Sequence, residues 1–146
     1  MKKIGVVFSI VLLMIGMVGC AGAGDYNIEL INDYEIVRTS AERIFIAKKE
    51  SEYTWSEQLI PMYYDGIHEE AHPEHVIQVG HDNNRYIIAK TNLENYYLLD
   101  TKEAIVCGPF TKEKFIQEKE NAKISNSVVL KDLDEYEKIR YERDCR

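Results

Sequence analysis

One histidine pair in the chain has the spacing of a metalloprotease zinc site. Residues 68–72 read His-Glu-Glu-Ala-His, a match to H-E-x-x-H, in which two histidines one helical turn apart bind zinc and the glutamate acts as general base. That geometry requires a helix, yet Gly66 precedes the motif and Pro73 follows it. Proline pushes the residue before it, here His72, out of the helical region. We therefore expect a solvated loop, and a zinc-dependent hydrolase is the alternative function.

A looser metal site is the second chemistry open to these histidines. Neutral imidazole is a common metal ligand, and the weak candidates are His68, His72 and His75, with His81 further along. The sequence also lacks G-x-S-x-G, a glycine-rich phosphate loop and C-x-x-C. We therefore predict no metal, no cofactor and no enzymatic activity.

The three cysteines fall in different surroundings. Cys107 lies among Ile105, Val106 and Gly108, which predicts a buried, unreactive thiol; a nucleophile paired with His75 or His81 is the alternative. An oxidising compartment would permit a disulfide between Cys107 and Cys145. Because Cys145 lies in a charged tail, we favour two separate thiols.

Aromatic side chains supply the remaining binding candidates. They crowd the region around the proline at position 61, and they are Tyr53, Trp55, Tyr63 and Tyr64. An exposed aromatic patch can bind a glycan or a protein. Half-buried strand tyrosines with hydroxyls in water are the simpler expectation.

The first twenty residues, MKKIGVVFSIVLLMIGMVGC, determine where the protein is expected to act. Two lysines precede an apolar run over residues 4–18, which indicates a secretory signal shorter than the roughly 20 residues of a stable membrane span. The run ends in Met17-Val18-Gly19-Cys20, which resembles the bacterial lipoprotein box, with Met17 where leucine is usual. The resemblance implies that Cys20 is lipidated and becomes the first mature residue.

This interpretation divides the chain into three parts. We predict a signal peptide over residues 1–19, a lipidated cysteine and flexible spacer over 20–25, and a single domain over 26–142. Two acyl chains (palmitate, for example) hold a protein at a membrane where one does not. The predicted location is the extracytoplasmic face of the cell membrane, in the cell envelope, with the membrane bound through lipid on Cys20.

The net charge of the chain limits the classes of molecule that it is expected to bind. Removing Lys2 and Lys3 from the 18 basic residues leaves 16 against 25 acidic residues, a formal charge of −9. Such a chain is unsuited to nucleic acid. The charge is compatible with a cationic protein partner.

Short runs rich in β-formers, separated by polar turns, predict a mainly β (α+β) fold: a small antiparallel β-meander sheet with one or two C-terminal helices. Asn32-Asp33 is a turn-prone pair, and residues 49–58 are expected to form a loop. Thr111 is the expected N-cap of the first helix, and Gly108-Pro109 is expected to end the sheet. The predicted strands cover 25–31, 34–39, 42–48, 59–64, 75–79, 85–90, 96–100, 104–107 and 127–130; the helices cover 112–122 and a stretch after residue 132.

Four stretches carry a resemblance to a known family. They are residues 33–48, 59–62, 85–90 and 96–115, which include DYEIVRTSAERIFIAK and YYLLDTKEAIVCGPFTKEKF. They resemble a family of small lipoproteins of Gram-positive spore-forming bacteria, known as a domain of unknown function. The resemblance implies a lipoprotein box and one compact β-rich domain, and it implies no activity. The predicted function is a non-enzymatic, membrane-anchored binding module, with a lipoprotein that neutralises a cationic toxin as a special case.

Overall fold

The structure, a computed structural model, describes residues 26–52, 54–62 and 74–136. These residues form nine strands and one α-helix, followed by a helical turn over residues 133–136. Among them, no helix is long and apolar enough to span a membrane. The elements are β1 (Tyr26–Glu29), β2 (Tyr34–Ser40), β3 (Arg43–Ser51), β4 (Thr54–Trp55), β5 (Val76–His81), β6 (Tyr86–Thr91), β7 (Tyr96–Asp100), β8 (Ile105–Phe110), α1 (Lys112–Asn121) and β9 (Lys131–Asp132).

The strands are divided between two antiparallel sheets. The first sheet has the order β1-β2-β3-β4, and the second has the order β8-β7-β6-β5-β9. The predicted mainly β class with short C-terminal helices is confirmed. The chain builds two consecutive meanders, and the short β9 returns to pair with β5.

The main core lies between the two sheets. Side chains alternate between the two faces of a strand, so Tyr34 and Ile36 of β2 share one face of the first sheet. They pack in one buried cluster with Ile87 and Leu99 of the second sheet. The other face of the first sheet therefore points away from this core.

The second sheet is covered on its far face as well. Ile88 and Leu98 belong to a second buried cluster, which contains Phe115 of α1. The Phe115 ring stacks on Tyr96 with 5.1 Å between ring centroids. Thr111 caps the helix by accepting a hydrogen bond from the Lys114 backbone N–H at 3.4 Å. Strand β6 therefore has side chains packed on both of its faces.

Two predictions about strand β8, at the end of the second sheet, are wrong. Strand β8 runs through Gly108-Pro109 to Phe110 instead of stopping there, because β8 is an edge strand on which proline needs no ladder partner for its missing N–H. Gly108 has φ +135°, and a Cβ there would lie 2.7 Å from the Tyr96 carbonyl oxygen. The Cys107 thiol is exposed, not buried, because residues on β8 alternate and Val106 takes the core-facing position.

Several boundaries also differ from the sequence pattern. The expected loop over residues 49–58 contains the end of β3 and all of β4, and the expected strand at 59–64 is reduced to a single bridge between Ile46 and Ile60 within the described residues. Residues 127–130 are not a strand, whereas the next two residues form β9. The predicted turn at Asn32-Asp33 is confirmed: both residues have positive φ (53° and 65°), as the type I′ turn of a two-residue hairpin requires.

Candidate functional site

A cleft of about 260 Å³ opens where β1 turns into β2. It is lined by residues 29–35 and by Lys49 of β3. Backbone hydrogen bonds close the turn: the Leu30 N–H donates to the Tyr34 carbonyl at 2.9 Å, and the Lys49 N–H donates to the Asp33 carbonyl at 2.6 Å. The walls of the cleft are therefore held by main-chain contacts.

A buried carboxylate lies at the side of this cleft. Glu35 is only 2% exposed, and it faces away from the main core because its strand neighbours Tyr34 and Ile36 face into it. The Trp55 indole N–H donates to Glu35 Oε2 at 2.7 Å, and the Lys49 ammonium lies 3.1 Å from Oε1. Because a buried charge is costly unless it is paired and hydrogen-bonded, these two contacts are what allow a carboxylate here.

The charges lining the cleft do not balance. Glu29, Asp33 and Glu35 supply three carboxylates, and Lys49 supplies the single ammonium of the lining. The hydrogen bond and charge of Glu35 raise the pKa of Lys49, and Glu29 raises it further. Lys49 is thus protonated and engaged with Glu35, and the rest of the lining carries surplus negative charge.

The turn beside the cleft is also fastened to the second sheet. The Asn32 side-chain amide donates to the Asn84 carbonyl at 2.9 Å and to Thr101 Oγ1 at 2.7 Å. Next to these acceptors, Arg85 Nε donates to Asp100 Oδ1 at 2.9 Å. The position of the turn therefore depends on both sheets.

A second polar cluster stands at the start of β5. Glu74 Oε1 accepts hydrogen bonds from Thr91 Oγ1 at 2.6 Å, Asn95 Nδ2 at 2.9 Å and the Tyr97 hydroxyl at 3.4 Å. The His75 N–H donates to Asn92 Oδ1 at 2.8 Å. These contacts fix the chain as it enters the second sheet, which is a structural role.

The structure describes a minority of the residues that the sequence singled out. Cys20, Tyr53, Tyr63, Tyr64, His68 and His72 lie outside the described residues, as does the motif at 68–72. His75 is half-buried, and within the described ranges no three His, Cys, Asp or Glu side chains converge to hold a metal ion. Trp55 is half-buried, and its indole N–H is the donor to Glu35.

Sequence reasoning missed Glu35 and Lys49. The signal was available, because Glu35 interrupts an otherwise apolar run at Tyr34-Glu35-Ile36-Val37, and an ionisable residue with apolar neighbours on a strand needs a partner. The partner could not be identified from sequence, since Trp55 follows β3 through a turn whose register was not predictable.

The comparisons with known proteins identify one family. Residues 31–134 match the family described as "Protein of unknown function (DUF3997)". No curated protein and no solved structure matches the chain. The matched stretch takes in Asp33, Glu35, Lys49 and Trp55, so most of the cleft lies inside the family domain.

Proposed function

Because the chain belongs to the DUF3997 family, whose function is unknown, we propose a function from its own residues. The protein is a lipoprotein anchored through Cys20 at the extracytoplasmic face of the cell membrane, where its β domain acts as a non-enzymatic binding module. The cleft bordered by Glu35 is the observation that carries the binding role.

The anchor rests on the sequence alone. The positive start, the apolar run and Met17-Val18-Gly19-Cys20 together favour lipidation at the cysteine. Acyl chains contribute about 0.8 kcal/mol per buried CH₂, so two of them hold a domain of this size without a transmembrane helix.

The binding role rests on how the cleft is built. Its turn is held by main-chain hydrogen bonds and by Asn32, so little ordering is needed on binding, which favours affinity. Buried Glu35 and Lys49, whose side chain is 35% exposed, place an ion pair on a face that does not belong to the main core. Folding does not demand a buried carboxylate at position 35, because well-packed apolar residues in place of buried ionic groups are often neutral or stabilising.

Mass spectrometry of the membrane fraction tests the anchor. We expect a mature chain that starts at a diacylglyceryl-modified Cys20, and a Cys20→Ala variant that is lost from the membrane. Cys107→Ala is the matched control, because its thiol is exposed on β8, and this variant should remain membrane-bound. An intact Met1, or membrane retention of Cys20→Ala, contradicts the anchor.

Affinity capture with the full chain tests the binding role. Wild-type protein extracted in mild detergent should recover an envelope partner at low salt. A Glu29→Gln/Asp33→Asn variant should lose that partner, whereas Glu120→Gln, an exposed acid on α1, should keep it. Recovery of no partner, or equal recovery by all three proteins, contradicts a binding role for the cleft.

The alternative function, a zinc-dependent hydrolase through His68, Glu69 and His72, has its own test. We expect purified protein to hold no stoichiometric zinc by elemental analysis, because Pro73 disfavours the helical geometry needed at His72. One zinc per chain that is lost in His68→Ala would establish the metal site and favour the hydrolase.

A further inference from the structure

We propose that one end of the first sheet docks on the phospholipid headgroups of the membrane, so that the domain is held there in one orientation. This end consists of the hairpin tip, residues 38–43, where β2 turns into β3, and of Tyr26 at the start of β1. The inference rests on the proposed lipid anchor at Cys20 and adds the surface through which the anchored domain contacts the bilayer.

The short link to Cys20 keeps this end within reach of the membrane surface. Five residues separate Cys20 from Tyr26, and a chain of that length spans at most about 22 Å when it is fully extended. Tyr26 lies directly opposite Arg38 in the β1–β2 ladder. The hairpin tip therefore lies at the end of the first sheet to which the anchor is attached, and β1 runs from there toward the cleft.

The side chains at this end are suited to the headgroup region. The Arg38 guanidinium lies over the Tyr26 ring, 5.2 Å from its centroid, and Arg38 Nε donates to the Ser40 carbonyl at 3.4 Å. Arg43, which follows in β3, is exposed. Tyrosine is enriched at membrane–water interfaces, and a guanidinium group presents paired N–H donors to a phosphate. Together these residues favour contact with lipid phosphates.

The two ends of the first sheet differ in charge. The hairpin tip carries two arginines and one acid, Glu42, whereas the cleft is lined by three carboxylates and one lysine. Asp25, the last residue before β1, adds one further negative charge on the side of the tip. An anionic bilayer still repels the cleft more strongly than the hairpin tip. This difference favours the orientation in which the tip meets the headgroups and the cleft faces away from the membrane.

Two exposed hydroxyl residues allow this orientation to be measured. Thr39 lies in the hairpin tip and Ser51 at the far end of β3, a strand about 26 Å long at roughly 3.3 Å per residue. We would introduce Thr39→Cys or Ser51→Cys into the full chain carrying Cys107→Ala and Cys145→Ala, and attach a fluorophore to the new thiol. The lipidated protein would be placed in vesicles of phosphatidylcholine and phosphatidylglycerol that contain a headgroup-linked nitroxide quencher.

We expect strong quenching of the label at Thr39→Cys and little quenching at Ser51→Cys. Quenching at the tip gives the ratio of docked to undocked domain, and omitting phosphatidylglycerol should lower this ratio. Arg43→Gln should lower it about fivefold, the contribution typical of one basic residue near an anionic surface. Glu42→Gln should raise it, and this opposite direction separates an effect of charge from a loss of folding.

The matched control removes two positive charges elsewhere. Lys102→Gln/Lys123→Gln changes two exposed lysines outside the first sheet, and the ratio should stay as it is in the labelled protein without this change. A decrease as large as that of Arg43→Gln would overturn the proposal, because it would indicate general charge attraction. A decrease in Glu42→Gln would overturn it as well.

Equal quenching of the two labels, or stronger quenching at Ser51→Cys, would also overturn the docking surface. Failure of the anchor gives a different result. A chain that is not lipidated would be absent from the vesicle fraction, which would remove the basis of both proposals. A lipidated, vesicle-bound chain whose two labels are quenched alike would leave the anchor in place while this inference failed.

Discussion

The two sheets of the domain differ in what their outer faces do. The central strands of the second sheet are buried on both sides: Ile87 packs toward the first sheet and Ile88 packs under the cluster that includes α1. The first sheet shares its inner face with the same core. Its other face carries the ion pair between buried Glu35 and partly exposed Lys49.

Because of this difference, we expect the second sheet to provide most of the stability and the outer face of the first sheet to be available for binding. Apolar burial is the dominant favourable term in folding, and the second sheet supplies it on two faces. Replacing a buried ionic group by well-packed apolar residues of similar volume is often neutral or stabilising. The first sheet can therefore carry a polar cleft without loss of the fold, and substitutions in the two sheets should have different consequences.

The largest expected effect is in the second sheet. Ile87→Ala should lower the free energy of unfolding by about 2–5 kcal/mol, because it removes a fully buried side chain between the sheets and leaves a cavity. Chemical denaturation measures this. Ile105→Ala is the matched control, since Ile105 is 53% exposed on β8, and it should change stability by no more than about 0.5 kcal/mol. Similar losses in both variants would contradict the two-faced burial of the second sheet.

A smaller effect is expected at Glu35. Glu35→Ala leaves the Trp55 indole N–H without its acceptor, and because Trp55 is only half-buried we expect a loss of about 1 kcal/mol, the lower end of the cost of an unpaired buried donor. Glu35→Gln keeps an acceptor for Trp55 and should lose less. Denaturation followed by Trp55 fluorescence compares the two variants. Equal losses would mean that the hydrogen bond to Trp55 contributes little, and a loss as large as that of Ile87→Ala would end the distinction between the sheets.

The second sheet was the easier one to predict from sequence. YIIAK and YYLLD are short apolar runs bounded by polar turns, and their lengths and turns fit an antiparallel meander. The observed β7 begins and ends at the predicted residues. Local pattern is sufficient here because neighbouring strands in sequence are also neighbours in space.

The end of this sheet could not be predicted in the same way. Pro109 normally signals the end of a strand, but β8 is an edge strand and tolerates it. The exposure of Cys107 follows from the same fact, since one face of an edge strand is left uncovered. Whether a strand lies at an edge depends on the whole topology and not on local residues.

The cleft was the least predictable feature. Glu35 and Lys49 are separated by a turn and most of β3, and Trp55 reaches Glu35 from a two-residue strand. Register decides whether such side chains share a face, and a slip of one residue would reverse it. The sequence predicted Trp55 as a binding candidate. Its partner, Glu35, could be identified only once the register of the β2–β3 ladder was known.

The stability of the domain at acid pH should depend on Asp100, whose carboxylate accepts a hydrogen bond from Arg85. The side-chain hydrogen bond from Arg85 lowers the pKa of Asp100, although burial opposes it, and the Glu103 and Lys102 backbone N–H groups lower it further. A lowered folded pKa gives stability that is present above the unfolded value of about 3.9 and is lost as pH falls through the folded value.

The matching experiment is denaturation of wild type and Asp100→Asn between pH 2 and 7. Wild type should lose stability steeply below about pH 4. The variant should lose it less steeply, because an amide in place of the carboxylate takes up no proton in this range. Glu120→Gln is the control for removal of one carboxylate and should follow wild type. Identical slopes in wild type and Asp100→Asn would show that the Arg85 contact is not formed in solution.

The smallest expected effect lies at the end of the second sheet formed by β5 and the short β9. His81 is half-buried, and its Nδ1 is buried without a hydrogen-bond partner among the described residues. Burial lowers the pKa of His81, and the charge of Lys131 lowers it further, whereas Asp82 and a hydrogen bond with Asn83 oppose the change. Because the folded pKa lies below the unfolded value of about 6.5, the unfolded state binds the proton first as pH falls.

Stability should therefore decline from about pH 6.5 down to the folded pKa of His81 and then level off with respect to this group. An NMR titration should place the His81 midpoint below about 6.5, and His81→Gln should flatten the decline. A midpoint at or above that value would mean that the ring is solvated, and that this end of the sheet is less well packed than its centre.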